Sequence, residues 1–316
     1  MYRTAFIGLI LAILATFIVG YRYNPLPYLL DTPSKVLDFI LTGPGHSKSG
    51  RPSHFKGSDE HVEPGPSRRI VAIGDLHGDL PNTLKVLEFA GIINDQQDWI
   101  ATNTTLVQVG DVVDRGPDTK AIYGLLRRLS NDSSAYGSDV VGVLGNHEIM
   151  NMFGDLRYVN PKDTDSFGGP EQRKLEWSRG GDLGSVHWAN KGIHFINHSA
   201  RQSLFQQSEK DAQSNPVFGG EGPTWYREYA QADEKTICPQ LKEALNTLGA
   251  RRMVIGHTPQ LDGIKSRCRG RVIIIDTGIS SVYGGKLSAL EIFGDSATAL
   301  YEKGKKVKLP KSRPIV

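Results

Sequence analysis

Four of the nine histidines in this 316-residue chain, and several of its acids, fall where a short apolar run gives out. The run Ile-Val-Ala-Ile at residues 70–73 is stopped by Gly74, and Asp75 and His77 follow with one residue between them. A carboxylate oxygen and an imidazole nitrogen at that spacing can reach one divalent ion, because Gly74 and Gly78 let the backbone turn tightly around it. One such pair carries little weight, since any buried strand can end in a polar turn. The pattern recurs, however. Gly110-Asp111-Val112-Val113-Asp114-Arg115-Gly116 follows the run at 105–109, and Gly145-Asn146-His147-Glu148 follows 140–144. His198 follows 192–197, and Gly256-His257 follows 253–255. Of the remaining histidines, His46, His54 and His61 lie in a Gly-, Pro- and Ser-rich stretch as solvated side chains, and His187 and His194 are assigned to packing or surface.

Ligands delivered in this way need strands that end along one rim. The runs at 70–73, 105–109, 140–144, 192–197, 253–255 and 272–275 are short and rich in β-branched residues, with amphipathic helices between them. Asp118 or Thr119 can cap a helix whose Ile122, Leu125, Leu126 and Leu129 share one face, and Leu241, Leu245 and Leu248 repeat the pattern before Gly249. This alternation predicts an α/β fold, in which the C-terminal ends of the strands converge on the site. A composition of 39% hydrophobic and 22% charged residues is that of an ordinary globular chain, large enough for one big domain or two small ones.

The flanks read differently. After Arg3, residues 4–20 form a nearly continuous uncharged apolar run, about long enough to cross a bilayer as one helix. No small-x-small site follows it, and Tyr21-Arg22-Tyr23 resembles an interfacial anchor, so an uncleaved signal anchor over residues 1–23 is expected; a cleaved signal peptide with secretion is the rival. The folded domain is expected on the luminal side, where the sequons at Asn103, Asn131 and Asn197 would suit it. Residues 24–66 read as a linker, 67–302 as the folded domain with a cap insertion at 151–191, and 303–316 as a basic, solvated tail. That tail holds six cations, and without them the net charge of +3 becomes −3, so no nucleic-acid face is indicated.

The ordered set Gly74-Asp75-x-His77-Gly78, Gly110-Asp111-x-x-Asp114-Arg115-Gly116 and Gly145-Asn146-His147-Glu148 resembles the calcineurin-like metallophosphoesterases, and within them the phosphoprotein phosphatase (PPP) group. Residues 154–159, Trp225-Tyr226-Arg227, residues 256–260, Asp276-Thr277-Gly278-Ile279-Ser280 and Tyr283-Gly284-Gly285 further resemble its Shewanella-like branch. The resemblance implies two packed mixed β-sheets flanked by helices, with a dinuclear metal site between loops. It implies that Asp75 and His77 hold the first ion, that Asp111 bridges both, and that Asn146, His198 and His257 complete the second. Oxygen and imidazole donors without thiolate suit two divalent transition-metal ions such as Mn, Fe or Zn. On the same resemblance a metal-bridged hydroxide attacks in line. His147 is then the general acid, Asp114 orients its ring, and Arg115 and Arg227 grip the phosphoryl oxygens.

Cysteine-phosphatase chemistry is excluded, because the residues six positions after Cys238 and Cys268 are Ala244 and Ile274 rather than arginine. The two cysteines are a disulfide if the domain is luminal and free thiols if it is cytosolic. The expected substrate is a phosphoprotein, with phosphotyrosine, phosphoserine or phosphothreonine cleaved; the alternative is a dinucleotide polyphosphate hydrolase of the same fold. In the cap, Arg157, Arg173, Lys174 and Arg179 with Tyr158 and Trp177 read either as contacts around the phosphoryl group and its ring or, for the two aromatics, as the cap's own core.

Overall fold

The computed structural model describes residues 68–178, 218–220, 222–247 and 250–312, with Phe17, Ile18, Gly181 and Leu183. Its strands are β1 (Phe17–Ile18), β2 (Arg69–Ile73), β3 (Thr104–Gln108), β4 (Asp139–Gly142), β5 (Met253–Ile255), β6 (Lys265–Arg267), β7 (Val272–Ile274), β8 (Ser288–Phe293), β9 (Ser296–Tyr301) and β10 (Lys306–Lys308). The helices used below are α1 (Leu80–Phe89), α2 (Thr119–Ser133), α3 (Asn146–Met152), α4 (Pro161–Ser166), α5 (Pro170–Trp177), α6 (Glu228–Gln231) and α7 (Glu234–Thr247). They build two mixed sheets, ordered β10-β9-β8-β2-β3-β4 and β1-β5-β7-β6, as expected.

Period-two alternation along the strands sends side chains into separate cores. Val71 and Ile73 of β2 and Leu106 of β3 face a core shared with α1, α2 and the cap residues Phe167, Trp177 and Leu183. Between them Ala72 and Val107 face the other way, onto Val254, Ile273 and Ile275 of the second sheet. Met253, Ile255, Val272 and Ile274 pack on the far side against Ile237, Leu241 and Leu245 of α7. The layers are therefore helix, sheet, sheet, helix. Cys238 of α7 is joined by a disulfide to Cys268 in the turn before β7, across a separation of 30 residues. Closing a loop of that size stabilises the fold by about 3–4 kcal/mol on the chain-entropy model.

β2, β3 and β4 are parallel and in register, with Ile73 opposite Gln108 and Gln108 opposite Gly142. Their C-terminal ends are thus level, and β5 and β7 run parallel in the second sheet. The expected strand at 192–197 lies outside the described residues, as does the linker at 24–66. Of the expected membrane helix at residues 4–20, Phe17 and Ile18 instead form β1, antiparallel to β5 on its open edge. Aromatic and β-branched residues suit that pairing, and an uncovered edge needs a partner. The rest of the run lies outside the described residues, and among the described residues no helix is long and apolar enough to cross a membrane. The expected basic tail is described through residue 312, is mostly exposed, and includes a short edge strand. Lys306–Lys308 pairs with β9, the Leu309 N–H donates to Ala297 O, and Leu309 packs on the inter-sheet core. Its lysines stay exposed, as charges on an edge strand do when they discourage further pairing.

One buried carboxylate holds the strand-end loops together. Glu148, fully buried in the first turn of α3, accepts hydrogen bonds from the N–H groups of Asp111 (2.8 Å), Val112 (2.8 Å), Val113 (3.3 Å) and Gly145 (2.7 Å), and from the Tyr123 hydroxyl (3.2 Å). Burial and the neighbouring Asp111 charge push its carboxyl up to about 7 against the pull of the backbone donors, yet five donors require the acceptor form. Glu148→Ala would leave three buried N–H groups and the part-buried one of Gly145 without this acceptor. It should cost about 3 kcal/mol or more in urea unfolding and lower metal retention at the same time; a variant within about 0.5 kcal/mol of the parent would show that water replaces the clamp.

Candidate active site

The level strand ends place Asp75, His77, Asp111, Asn146, His147 and His257 in one pocket, with Arg115, Arg227, Tyr158, Trp225, Asp276 and Tyr283 completing most of its lining. Asp114 lies directly behind, fully buried. His198 lies outside the described residues. The loops reach this arrangement through left-handed backbone at non-glycine positions: His77 (φ 45°), Asp111 (54°), Asp114 (73°), Arg115 (70°) and His257 (65°). Each such residue costs of order 1 kcal/mol. The conformations persist because the loops are laced to one another. The Leu76 and His77 N–H groups both donate to Asp111 O at 3.0 Å, and Gly78 N–H donates to Val112 O at 2.8 Å. Gly145 is required for a separate reason: a Cβ there would collide with the Asp111 carboxylate.

The donor atoms fit divalent metal. His77 Nδ1 is engaged with Val113 O at 3.1 Å, which presents Nε2 to the pocket. Burial, with the nearby His147, lowers the His77 pKa and keeps the ring in the neutral form a metal requires. Asn146 Oδ1 and His257 Nε2 are buried with no hydrogen-bond partner, although buried polar atoms are almost always paired. Three carboxylates, Asp75, Asp111 and Asp276, are also buried together. Burial, then Asp276 and Asp111, raise the Asp75 pKa well above the usual range. Burial pushes Asp276 up to about 7, opposed by the Gly278 N–H. At Asp111 burial works in the same direction, but the bond from His257 and the charges of His147 and His77 overcome it and hold the carboxyl low. Repelling acids beside unpaired donor atoms fit a cation site.

His147 faces the same pocket. Its Nδ1 lies 2.6 Å from Asp114 Oδ2, which leaves Nε2 toward the pocket. Burial disfavours the charged ring, yet the Asp114 bond and the Asp111, Asp114 and Glu148 charges outweigh it and raise the pKa. Arg115 is stacked on Tyr158, its guanidinium carbon 3.9 Å from the ring centroid and 5.8 Å from that of Tyr283. Arg227 donates to His257 O at 2.6 Å. Arg173, expected near a phosphoryl group, is instead buried in an ion pair with Asp163, and of the two readings for Trp177 the core one holds, since it packs beside Tyr123. Arg157 is exposed and paired with Asp155; Lys174 is exposed, and Arg179 lies outside the described residues. Sequence reading left Asp276, Trp225 and Tyr283 as motif residues without a role. Asp276 carries a signal close to that of Asp75, an acid at the end of an apolar β-run, directly after Ile275 where Asp75 follows Gly74.

The family model described as calcineurin-like phosphoesterase matches residues 68–261. An uncharacterized protein of Schizosaccharomyces pombe is 35% identical over 98% of both chains. Shewanella-like protein phosphatase 2 of Arabidopsis thaliana is 28% identical over 88% of this chain and 90% of its own. Among solved structures, a cold-active protein tyrosine phosphatase superposes with a TM-score of 0.68 at 23% identity, covering 78% of this chain and 80% of that one, a likeness of fold. With its metal-type donors gathered at the ends of parallel strands and its sequence matched over that whole region, the chain belongs to the calcineurin-like phosphoesterase family.

Proposed function

We propose that this chain is a metal-dependent phosphomonoesterase acting on phosphoproteins, cleaving phosphotyrosine and also phosphoserine and phosphothreonine. The observation that carries the reading is the pair of orphaned donors, Asn146 Oδ1 and His257 Nε2, beside Asp75, His77 and Asp111 in the pocket that His147 faces. These five residues, with His198 as a sixth, would hold two divalent ions of the Mn, Fe or Zn kind. Such ions supply Lewis acidity toward water and the phosphoryl oxygens.

The chain's own groups do the rest. His147 holds a proton at Nε2 for the departing ester oxygen, and Asp114 fixes its tautomer through Nδ1. Arg115 and Arg227 orient the phosphoryl group by charge-assisted hydrogen bonds. The aromatic rings of Tyr158, Trp225 and Tyr283 in the lining give a phenyl ring surfaces to lie against. The phosphatase name of the Arabidopsis relative supports a protein substrate. The disulfide supports an oxidising compartment, and so a luminal or secreted domain.

Asp111→Asn should strip metal and turnover together, as read by elemental analysis and aryl phosphate hydrolysis; full turnover in that variant contradicts the bridging role. His147→Asn should keep the metal and lose about 100-fold or more in kcat on a phenyl ester, and much less on esters with acidic leaving groups. Comparison of kcat/KM for phosphotyrosine peptides, phosphoserine peptides and diadenosine polyphosphate should place the peptides first. A tenfold preference for the dinucleotide would refute the protein-substrate assignment and leave the phosphoesterase chemistry standing. For the compartment, alkylation of the protein in intact cells before lysis should find Cys238 and Cys268 blocked, and free thiols at both would argue for the cytosol.

A further inference from the structure

We propose that Arg173, in helix α5 of the cap, is a positioning residue for His147, acting through Asn151 and Asp114. The inference rests on His147 being the proton donor, as argued above. Arg173 is only 1% exposed, and a cation so buried must serve partners that are buried too. Its Nη1 donates to Asn151 Oδ1 at 2.6 Å, while its Nε donates to Asp163 Oδ2 at 3.1 Å. Nη2 stands between two carboxylates, 3.1 Å from Asp163 Oδ2 and 3.9 Å from Asp114 Oδ1.

The bond to Asn151 sets which way its amide points. With Oδ1 taken by Arg173, Nδ2 is turned toward Asp114 Oδ1 at 2.9 Å and His147 O at 2.8 Å. Asp114 then has one oxygen held by Asn151 and the other by His147 Nδ1, so its carboxylate plane is fixed. Asp163 in turn accepts from Thr119 N–H at 3.2 Å, which anchors the far end of the chain to the start of α2. Asp163, Arg173, Asn151, Asp114 and His147 form one continuous buried line from the cap to the site. An arginine whose only task was to attach the cap would be satisfied by Asp163. Its second contact, with the amide that orients Asp114, is what points to the reacting group.

The test compares Arg173→Gln, Arg173→Lys and Asn151→Ser with His147→Asn in the full-length, metal-loaded enzyme, on aryl phosphates that span leaving-group acidity. Metal content and urea unfolding are measured in parallel. Arg173→Gln should lower kcat on phenyl phosphate about tenfold or more, a part of what loss of the acid itself costs. It should lower kcat on 4-nitrophenyl phosphate by less than about threefold, with KM and metal content near those of the parent. Arg173→Lys, which keeps the charge without the planar fork, should fall between. Asn151→Ser should show the same leaving-group dependence, and the double variant should lose no more than the worse single one. Equal losses on both esters, or an unchanged dependence in folded Arg173→Gln, would overturn the assignment. Should Arg173→Gln fail to fold, an unchanged dependence in Asn151→Ser decides against it equally. If His147→Asn itself lacks the dependence, the proton-donor reading fails and takes the inference with it; if only the Arg173 and Asn151 variants lack it, the inference alone fails.

Discussion

The acceptance of four backbone N–H groups by the Glu148 carboxylate is the interaction on which the site depends. Asp111 and its neighbours follow β3 in left-handed backbone that other L-residues rarely adopt, and their amides point inward, where only a strong acceptor can satisfy them. A glutamate one turn into α3 provides that acceptor and ties the β3 loop to the start of α3. Without it the strand ends would still be level and the His147 N–H would still hold the Asp111 carboxylate, but the amides of the β3 loop would lose their acceptor. Affinity for an ion at this site would therefore depend partly on a residue that touches no metal-type donor atom.

A second constraint is electrostatic. Asp75, Asp111 and Asp276 are all nearly inaccessible to water and lie within one pocket, so each raises the cost of ionising the next. The histidines around Asp111 hold its pKa low, and Arg227 pulls against the rise at Asp276, yet Asp75 and Asp276 both stay raised. The fold accepts this repulsion because the two sheets, packed through Ala72, Val107, Val254, Ile273 and Ile275, bring the ends of β2, β3, β5 and β7 together regardless of what those ends carry. The stability of the apolar layers underwrites a charge arrangement that would not hold together unaided.

Much of this could be read from the residues. Apolar runs that stop at glycine and are followed by Asp, Asn or His mark the strand ends, and the helix begun near Asp118 is present as α2. Even there the reason differs in part: the Asp118 side chain makes no cap bond to its own helix and accepts from Leu80 N–H instead. What residue types left open was burial within the cap, where the core was one of two readings for Trp177 and none for Arg173. Arginine and tryptophan types suit a phosphoryl pocket, but whether they face it depends on packing against α2, and Arg173 and Trp177 turn inward. Phe17 and Ile18 pose the same difficulty at the other end of the chain, since an apolar run has no periodicity by which to tell a strand from a span. The short basic strand β10 escaped notice because its pairing is specified by β9 rather than by its own residues.

The two arginines facing the pocket are held before any ligand arrives. Arg227 is tied to the carbonyl of His257, and Arg115 lies flat on the Tyr158 ring. Immobilising a long, rotamer-rich side chain on binding costs about 0.5–1.5 kcal/mol, and these contacts reduce that cost for both residues. An anion entering the pocket would thus meet two arginines already held in place. Rigidity of this kind favours discrimination by geometry, because an anion of the wrong shape cannot recruit the arginines to a new position.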